Sequence, residues 1–371
     1  MHSKSCISLI VPVIVALMLM FGCAPAAAPE EEVQTPQPTE EVIELTIDSR
    51  MPVGFYSTDA IDVLCQEAEK RSNGRLKMTH YPAQQLYKDS DLPDVIPKGL
   101  QDMGQANLPM WCVKVPIADT FMPGWIKDFD HFYRFSYDVS GTGGFIDKVA
   151  NPVFEKTVNT KILATTPLTP NFGFVFNEPV KTLEDFEGKK IRVFSRSGGI
   201  ALEAIGASPV VMSSAEYYMA MQRGTIDAIY TDLPTILGRK LWEVSNFVAN
   251  IYTAPGCYHI VINLDSWNSL SPDLQDALFD AAKVAEIWAG EQMWQFMGMV
   301  KDTAVNNGME WYDFPEEESE RCWALMRPAM LEDLQGRVGK DMADRLVKAV
   351  EATRDGKMSW KEACESHTLM R

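Results

Sequence analysis

LEDFEGKKIRVFSRSGGIALEAIGASPVVMSSAEYYMAMQRGTIDAIYTDL, residues Leu183 to Leu233, alternates short apolar runs with amphipathic ones, and its reading decides the fold. Ile191-Arg192-Val193-Phe194 is an apolar strand run that carries one arginine. A guanidinium keeps its charge inside a protein, so a buried Arg192 needs an anionic partner, supplied either by the chain or by a ligand. Ser195-Arg196-Ser197-Gly198-Gly199 follows as a flexible loop, and Ile200–Ile205 reads as a short helix stopped by Gly206. Pro209–Met212 is the next strand. Ser213-Ser214-Ala215-Glu216 has the S-x-x-E spacing of a capping box and opens a helix ending at Gly224; Ile226–Thr231 is the third strand. Strands joined by helices imply a parallel sheet, whose ligands sit beyond the carboxyl ends of the strands. Arg192, the Ser195–Gly199 loop and Thr231 would all lie at that edge.

Four segments of this stretch, Glu187–Val193, Ile205–Met212, Glu216-x-Tyr218 and Met221–Ala228, resemble in order and spacing the solute-binding proteins of TRAP (tripartite ATP-independent periplasmic) transporters. Gly74–Met78, Tyr81–Leu86 and Gly99–Gly104 extend the resemblance into the first half of the chain. It implies an α/β, two-lobed periplasmic-binding-protein fold of type II-like, TRAP class, with a long helix spanning both lobes. It also implies that Arg192, the arginine of the G-x-K-[IL]-R motif, pairs with the carboxylate of a small organic acid. In sialic-acid-binding relatives a second arginine falls at about Phe172 and an asparagine at Thr231. This sequence departs from both, and with Trp111 and Phe172 nearby it points to an apolar or aromatic monocarboxylate.

With 371 residues and 46% apolar content the chain can form two domains with real cores. A formal net charge of -17 excludes nucleic acid as a partner and a basic membrane-binding surface. The seven cysteines contain no C-x-x-C pair, and the five histidines are far apart, so neither a metal site nor a disulfide framework is indicated, and no cofactor is expected.

At the amino terminus, Lys4 precedes the apolar run Ile7–Phe21, too short to span a membrane and suited to a signal peptide over residues 1–22. Met20-Phe21-Gly22-Cys23 resembles a bacterial lipobox, which places a lipid anchor on Cys23 and the protein in the periplasm or at the cell surface. Residues 23–41, rich in Ala, Pro and Glu, read as a disordered tether.

Lobe I is expected over 42–166 plus about 256–300, and lobe II over 167–255 plus about 301–371. Val42–Ile47, Leu76–Tyr81, Lys161–Thr166, Phe172–Asn177 and Ala254–Leu264 read as strands, and Ala60–Arg71 as a helix. Ser271-Pro272-Asp273 opens a helix that runs on to Asn307, roughly 54 Å at about 1.5 Å per residue, enough to brace both lobes. Gly290 and Gly298 mark possible bends in it. Two further helices, about 316–334 and 339–354, finish the chain.

The candidate ligand-binding residues are Arg192, Phe172, Thr231, Ser214, Trp111 and Arg50. Ser214 is either a hydroxyl contact or only a helix cap. Trp111 is either a stacking surface or core. Arg50 is either a polar ligand contact or a solvated loop residue. Of the alternating Phe172, Phe174 and Phe176, at least two are expected in a core. Arg192 itself has an internal alternative, a pair with Asp232 or Glu216. The reading that follows is an extracytoplasmic protein that captures a small carboxylate and delivers it to integral membrane TRAP subunits. A ligand-presenting subunit of a sensor is the first alternative. A surface hydrolase is the second, and against it the chain has no G-x-S-x-G elbow and no H-E-x-x-H.

Overall fold

The computed structural model describes residues 41–120, 123–138, 140–212 and 216–369. The signal peptide, Cys23, the tether up to Glu40 and Ser214 with its capping box lie outside the described residues.

Eleven strands among the described residues form two mixed sheets: β1 (Ile43–Asp48), β2 (Leu76–Tyr81), β3 (Met103–Ala106), β4 (Thr160–Thr169), β5 (Phe172–Phe176), β6 (Lys190–Val193), β7 (Ser208–Val211), β8 (Ala228–Asp232), β9 (Phe247–Asn250), β10 (Gly256–Asn263) and β11 (Glu310–Asp313). The first sheet has the order β2-β1-β3-β10-β4 and the second β11-β9-β5-β8-β6-β7. In the first, β1 is parallel to β2 and β3, while β10 runs antiparallel to β3 and β4. In the second, β6 is parallel to both β7 and β8, as the strand-helix alternation requires. Around β5 it turns antiparallel, to β8 and β9.

Each sheet has an apolar core of its own, and a third and larger core takes residues of both, among them Ile162 and Val261 of the first and Phe174, Ile191 and Phe247 of the second. Leu45, Ile47, Leu76, Met103, Ile260 and Ile262 of the first sheet pack against Ile61, Leu64 and Ala68, which lie three and four residues apart on one face of the Tyr56–Arg71 helix. Val175, Ile229 and Val248 of the second sheet pack against Tyr217, Met221 and Ile236. The Pro272–Asn306 helix enters both cores. Leu274, Leu278, Ala281 and Ala285 belong to the first, and Val300 and Ala304 to the second. Its 35 residues span about 52 Å and hold the two sheets to one strut.

Two short crossovers complete the linkage. The chain passes from β4 to β5 through residues 170–171 and returns from β9 to β10 through 251–255. These segments are tied together: Phe172 N donates to Ala254 O (2.8 Å), Thr253 N to Asn171 Oδ1 (3.0 Å) and Asn171 Nδ2 to Ile251 O (3.3 Å).

One local expectation changes. Residues 195–199 are not a loop but the start of a helix, Arg196–Glu203, because the Ser195 hydroxyl accepts from Gly198 N (3.0 Å) and caps it. The long helix is unbroken at Gly290, which has a packing role. A side chain there would meet the Trp360 ring at 2.5 Å, so the glycine makes room for the Trp360–Ser366 helix, which the sequence reading did not anticipate. The final two long helices run Glu316–Val338 and Lys340–Thr353.

Candidate functional site

A cavity of about 720 Å³ is lined from both sheets and from the crossover at 251–255. The second sheet contributes Phe172 from β5, Arg192 from β6, and Tyr230, Thr231 and Asp232 from β8. From the first sheet come Arg50 just beyond β1, Leu168 near the end of β4, and Gly256 and Tyr258 at the start of β10. The site is thus at the carboxyl ends of β6 and β8, where a parallel sheet places its ligands.

Arg192 is buried, at 4% exposure. Its neighbours in the sheet are Val210 and Ile229. Its Nε donates to Met212 O (2.9 Å) and its Nη1 to Tyr230 O (3.3 Å), so the chain supplies backbone oxygens to this guanidinium. Arg192 has no ion pair within 4 Å among the described residues. Asp232, one of the two internal candidates, acts on the guanidinium electrostatically, and its carboxylate accepts from Thr235 N (2.9 Å), from the Thr235 hydroxyl and from Thr231 Oγ1 (3.3 Å). The guanidinium also lies over the Tyr217 ring, 4.9 Å from its centroid, and Arg239 lies over the same ring at 5.4 Å. Burial lowers the Arg192 pKa from its ordinary value and raises that of Asp232.

An aromatic wall adjoins this cation. Phe172, Phe194 and Tyr230 have ring centroids 5.1, 5.4 and 6.0 Å apart in pairs. Gly256 is what lets Phe172 lie there, since a side chain at 256 would meet its ring at 2.4 Å. Phe174 and Phe176 are fully buried core residues.

Arg50 faces the cavity from the other sheet and is 6% exposed, not solvated. Its Nη2 pairs with Asp89 Oδ2 at 3.0 Å, and its backbone N donates to Gln105 Oε1 (3.2 Å). The Gln105 amide in turn donates to Ser57 O (2.6 Å) and Thr166 Oγ1 (3.0 Å), which fixes the strand end that presents Arg50. Its Nε and Nη1 are buried without a hydrogen-bond partner.

Of the residues singled out from sequence, Arg192, Phe172, Thr231 and Arg50 meet at this cavity; Thr231 is 3% exposed. Trp111 does not. It is fully buried with its ring 5.6 Å from that of Phe154, because the Leu108–Trp111 turn directs it into the core. Sequence reading missed Asp89, Tyr217, Arg239, Tyr258 and Asp119, all on the wall. Asp119 accepts from the Ser197 hydroxyl (2.6 Å), joining the 116–120 segment to the helix that follows β6. Among the described residues no cluster of histidine, cysteine or carboxylate side chains could hold a metal ion, and no helix is long and apolar enough to cross a membrane.

Comparison with known proteins agrees with this geometry. Residues 51–335 match the model of the bacterial extracellular solute-binding protein family 7, DctP. The chain is 27% identical over 64% of its length to the sialic acid-binding periplasmic protein SiaP of Vibrio cholerae, covering 73% of that protein. It is 25% identical over 74% of its length to the C4-dicarboxylate-binding periplasmic protein DctP of Rhodobacter capsulatus, covering 81% of it. Among solved structures, a TRAP periplasmic solute-binding protein from Desulfovibrio salexigens with bound orotic acid superposes with a TM-score of 0.77 at 19% identity, covering 84% of this chain and 98% of that one. The last is a likeness of fold. Together with the family match it establishes a two-lobed α/β binding protein rather than an enzyme. The chain belongs to family 7 of the bacterial extracellular solute-binding proteins.

Proposed function

We propose that the protein captures a small organic acid in the cavity between its two sheets and delivers it to the integral membrane subunits of a TRAP transporter. The cargo's carboxylate is held at Arg192 by paired charge-assisted hydrogen bonds. Phe172 and the aromatic wall pack its carbon skeleton, and Thr231 offers a hydroxyl. Outside the described residues, Ser214 adds a second hydroxyl contact, and Cys23 carries the lipid that keeps the mature protein on the outer side of the membrane. Lobe I consists of 42–166 with about 256–300, and lobe II of 167–255 with about 301–371, so that each crossover works as a hinge strand.

One observation carries this reading. Arg192 is a buried permanent cation whose hydrogen bonds go to backbone carbonyls and which has no carboxylate within 4 Å among the described residues, on the wall of a cavity of about 720 Å³. A charge so placed is stabilised by an anion that arrives from outside. The names of the relatives, which are proteins for sialic acid and for C4-dicarboxylates, support carboxylate cargo without fixing which one. Thermal-shift screening against organic acids and their amides tests it. An acid at 100 times its dissociation constant adds about 2.7 kcal/mol to stability. The acid is expected to raise the melting temperature and its amide to leave it unchanged. Equal shifts for acid and amide would remove Arg192 from this role.

A further inference from the structure

A second cavity, of about 310 Å³, lies between the Lys340–Thr353 helix and residues 135–149, and it shares no lining residue with the first. Its floor is apolar. Phe135 and Phe145 stack there with ring centroids 5.1 Å apart, and Leu346 is buried in the same core. Met342, Leu346 and Ala349 recur at the i, i+4, i+7 spacing that sets them on one face of the helix. The wall across from the helix has an unusual backbone. Ile146–Ala150 is wound as a wide π-turn, and Thr142, a β-branched residue, holds φ at 72°. Such conformations persist only where the surroundings impose them, and they gather at ligand sites.

The rim carries charge of one sign. Lys148 stands on the π-turn and Arg345 and Lys348 on the helix, all three exposed. No aspartate or glutamate is among the described residues that line this cavity, in a chain with 51 acids against 34 bases. The acids next to Arg345 and Lys148 in sequence are engaged elsewhere: Asp344 pairs with Lys340 at 2.6 Å, and Asp147 with His367 at 3.0 Å. An anion is therefore drawn to this groove and repelled by most of the remaining surface. The apolar floor asks for more than a small anion, since it gains only by burying carbon. A concave site of about 310 Å³ also falls within the range of small-molecule pockets, about 300–1,000 Å³, and is unlike a flat protein interface.

We propose that this groove is a second ligand site, for a free single-chain anionic amphiphile such as a medium-chain fatty acid. The alkyl chain lies over Phe135, Phe145 and Leu346, and the carboxylate meets Arg345 and Lys348, with Lys148 across the groove. At about 30 Å³ for each water-sized group, a volume of about 310 Å³ holds about ten such groups, which sets the chain near ten carbons. The site is apart from the cargo cavity and does not depend on the role given to Arg192.

Isothermal titration of the mature protein with hexanoate, octanoate, decanoate and decanol tests it, and is repeated on Arg192→Ala to set aside any binding in the first cavity. Decanoate is expected to bind Arg192→Ala about tenfold to a hundredfold tighter than decanol does, as hydrogen bonds to charged donors imply. Affinity should rise about fourfold with each added methylene from hexanoate to decanoate. Arg345→Glu combined with Lys348→Glu reverses two exposed charges, and Ala349→Phe fills the groove while leaving them in place. Each change is expected to weaken decanoate binding about tenfold or more. The reversal is read in the parent as well, so the test stands on either background. Decanol that binds as tightly as decanoate, a charge reversal that leaves decanoate binding unchanged, or a folded Arg192→Ala protein that binds no decanoate overturns the proposal. Binding to phosphatidylglycerol vesicles without binding of free decanoate also overturns it, and makes the groove a membrane contact instead.

Discussion

At the scale of single residues, the site contrasts two buried arginines. Arg192 sits in a strand with carbonyl partners, whereas Arg50 sits at a strand end with an aspartate. Losing the partner of a buried, hydrogen-bonded charge costs about 2–5 kcal/mol. Arg192→Ala is therefore expected to weaken acid binding by roughly thirtyfold to several thousandfold in isothermal titration. Its melting temperature without ligand should hold or rise, because the substitution removes a desolvated cation that makes no ion pair within 4 Å among the described residues. A fall of many degrees without ligand would show instead that Arg192 is a structural residue. Arg192 was legible because a charged residue inside an apolar strand run stands out within four residues of sequence. Trp111 was not. An isolated tryptophan after a strand has no periodicity to say which way it faces, and only the packing against Phe154 decides. Asp89, Tyr217 and Arg239 carry no local signal, since each reaches the cavity only through tertiary folding.

At the scale of elements, the strands and helices read from periodicity lie within a few residues of those observed, while β9, β11 and the helices Phe129–Tyr137, Asn151–Val158 and Trp360–Ser366 were not read. Ser195–Gly199 reads as a loop because two glycines lower helix propensity, yet the Ser195 cap outweighs them. The two glycines of the long helix look identical in sequence and differ in space. A side chain at Gly298 meets nothing within 4 Å, so Gly298→Ala is expected to stabilise the protein by about 0.5–1 kcal/mol through backbone entropy alone. At Gly290 the added carbon would fall 2.5 Å from the Trp360 ring. That ring cannot retreat freely, being packed 5.9 Å from Phe129 and 6.0 Å from Tyr133. Gly290→Ala is expected to destabilise by about 1–3 kcal/mol. Urea melts of the two variants should move in opposite directions, and a shared direction would deny that Trp360 fixes Gly290.

At the scale of the whole molecule, one helix serves two cores and carries a buried acid between them. Glu286 is fully buried near its middle, between Ala281 and Ala285 of the first core and Val300 of the second. Its Oε1 accepts from the Tyr137 hydroxyl (2.9 Å), which also lies 2.9 Å from Thr165 Oγ1. Burial is the main cause that pushes the Glu286 carboxyl up to about 8 from an ordinary 4.5. The folded state therefore holds this proton where the unfolded chain has lost it. That contribution to stability is fully present below about pH 4.5 and is lost as the pH rises through about 8. The buried histidines and Asp48 act elsewhere. Burial lowers His131 to about 4 and His259 to about 3, so their effect has the opposite sign and ends by about 6.5, while that of Asp48 ends near 6. Between pH 6.5 and 8, Glu286 should account for a loss of about 2 kcal/mol, near 1.4 kcal/mol per pH unit. Glu286→Gln keeps the size and cannot ionise. Denaturant melts across that window should show the variant's stability falling less steeply than the parent's by about that amount, and parallel lines for the two proteins would mean that Glu286 ionises freely in the fold.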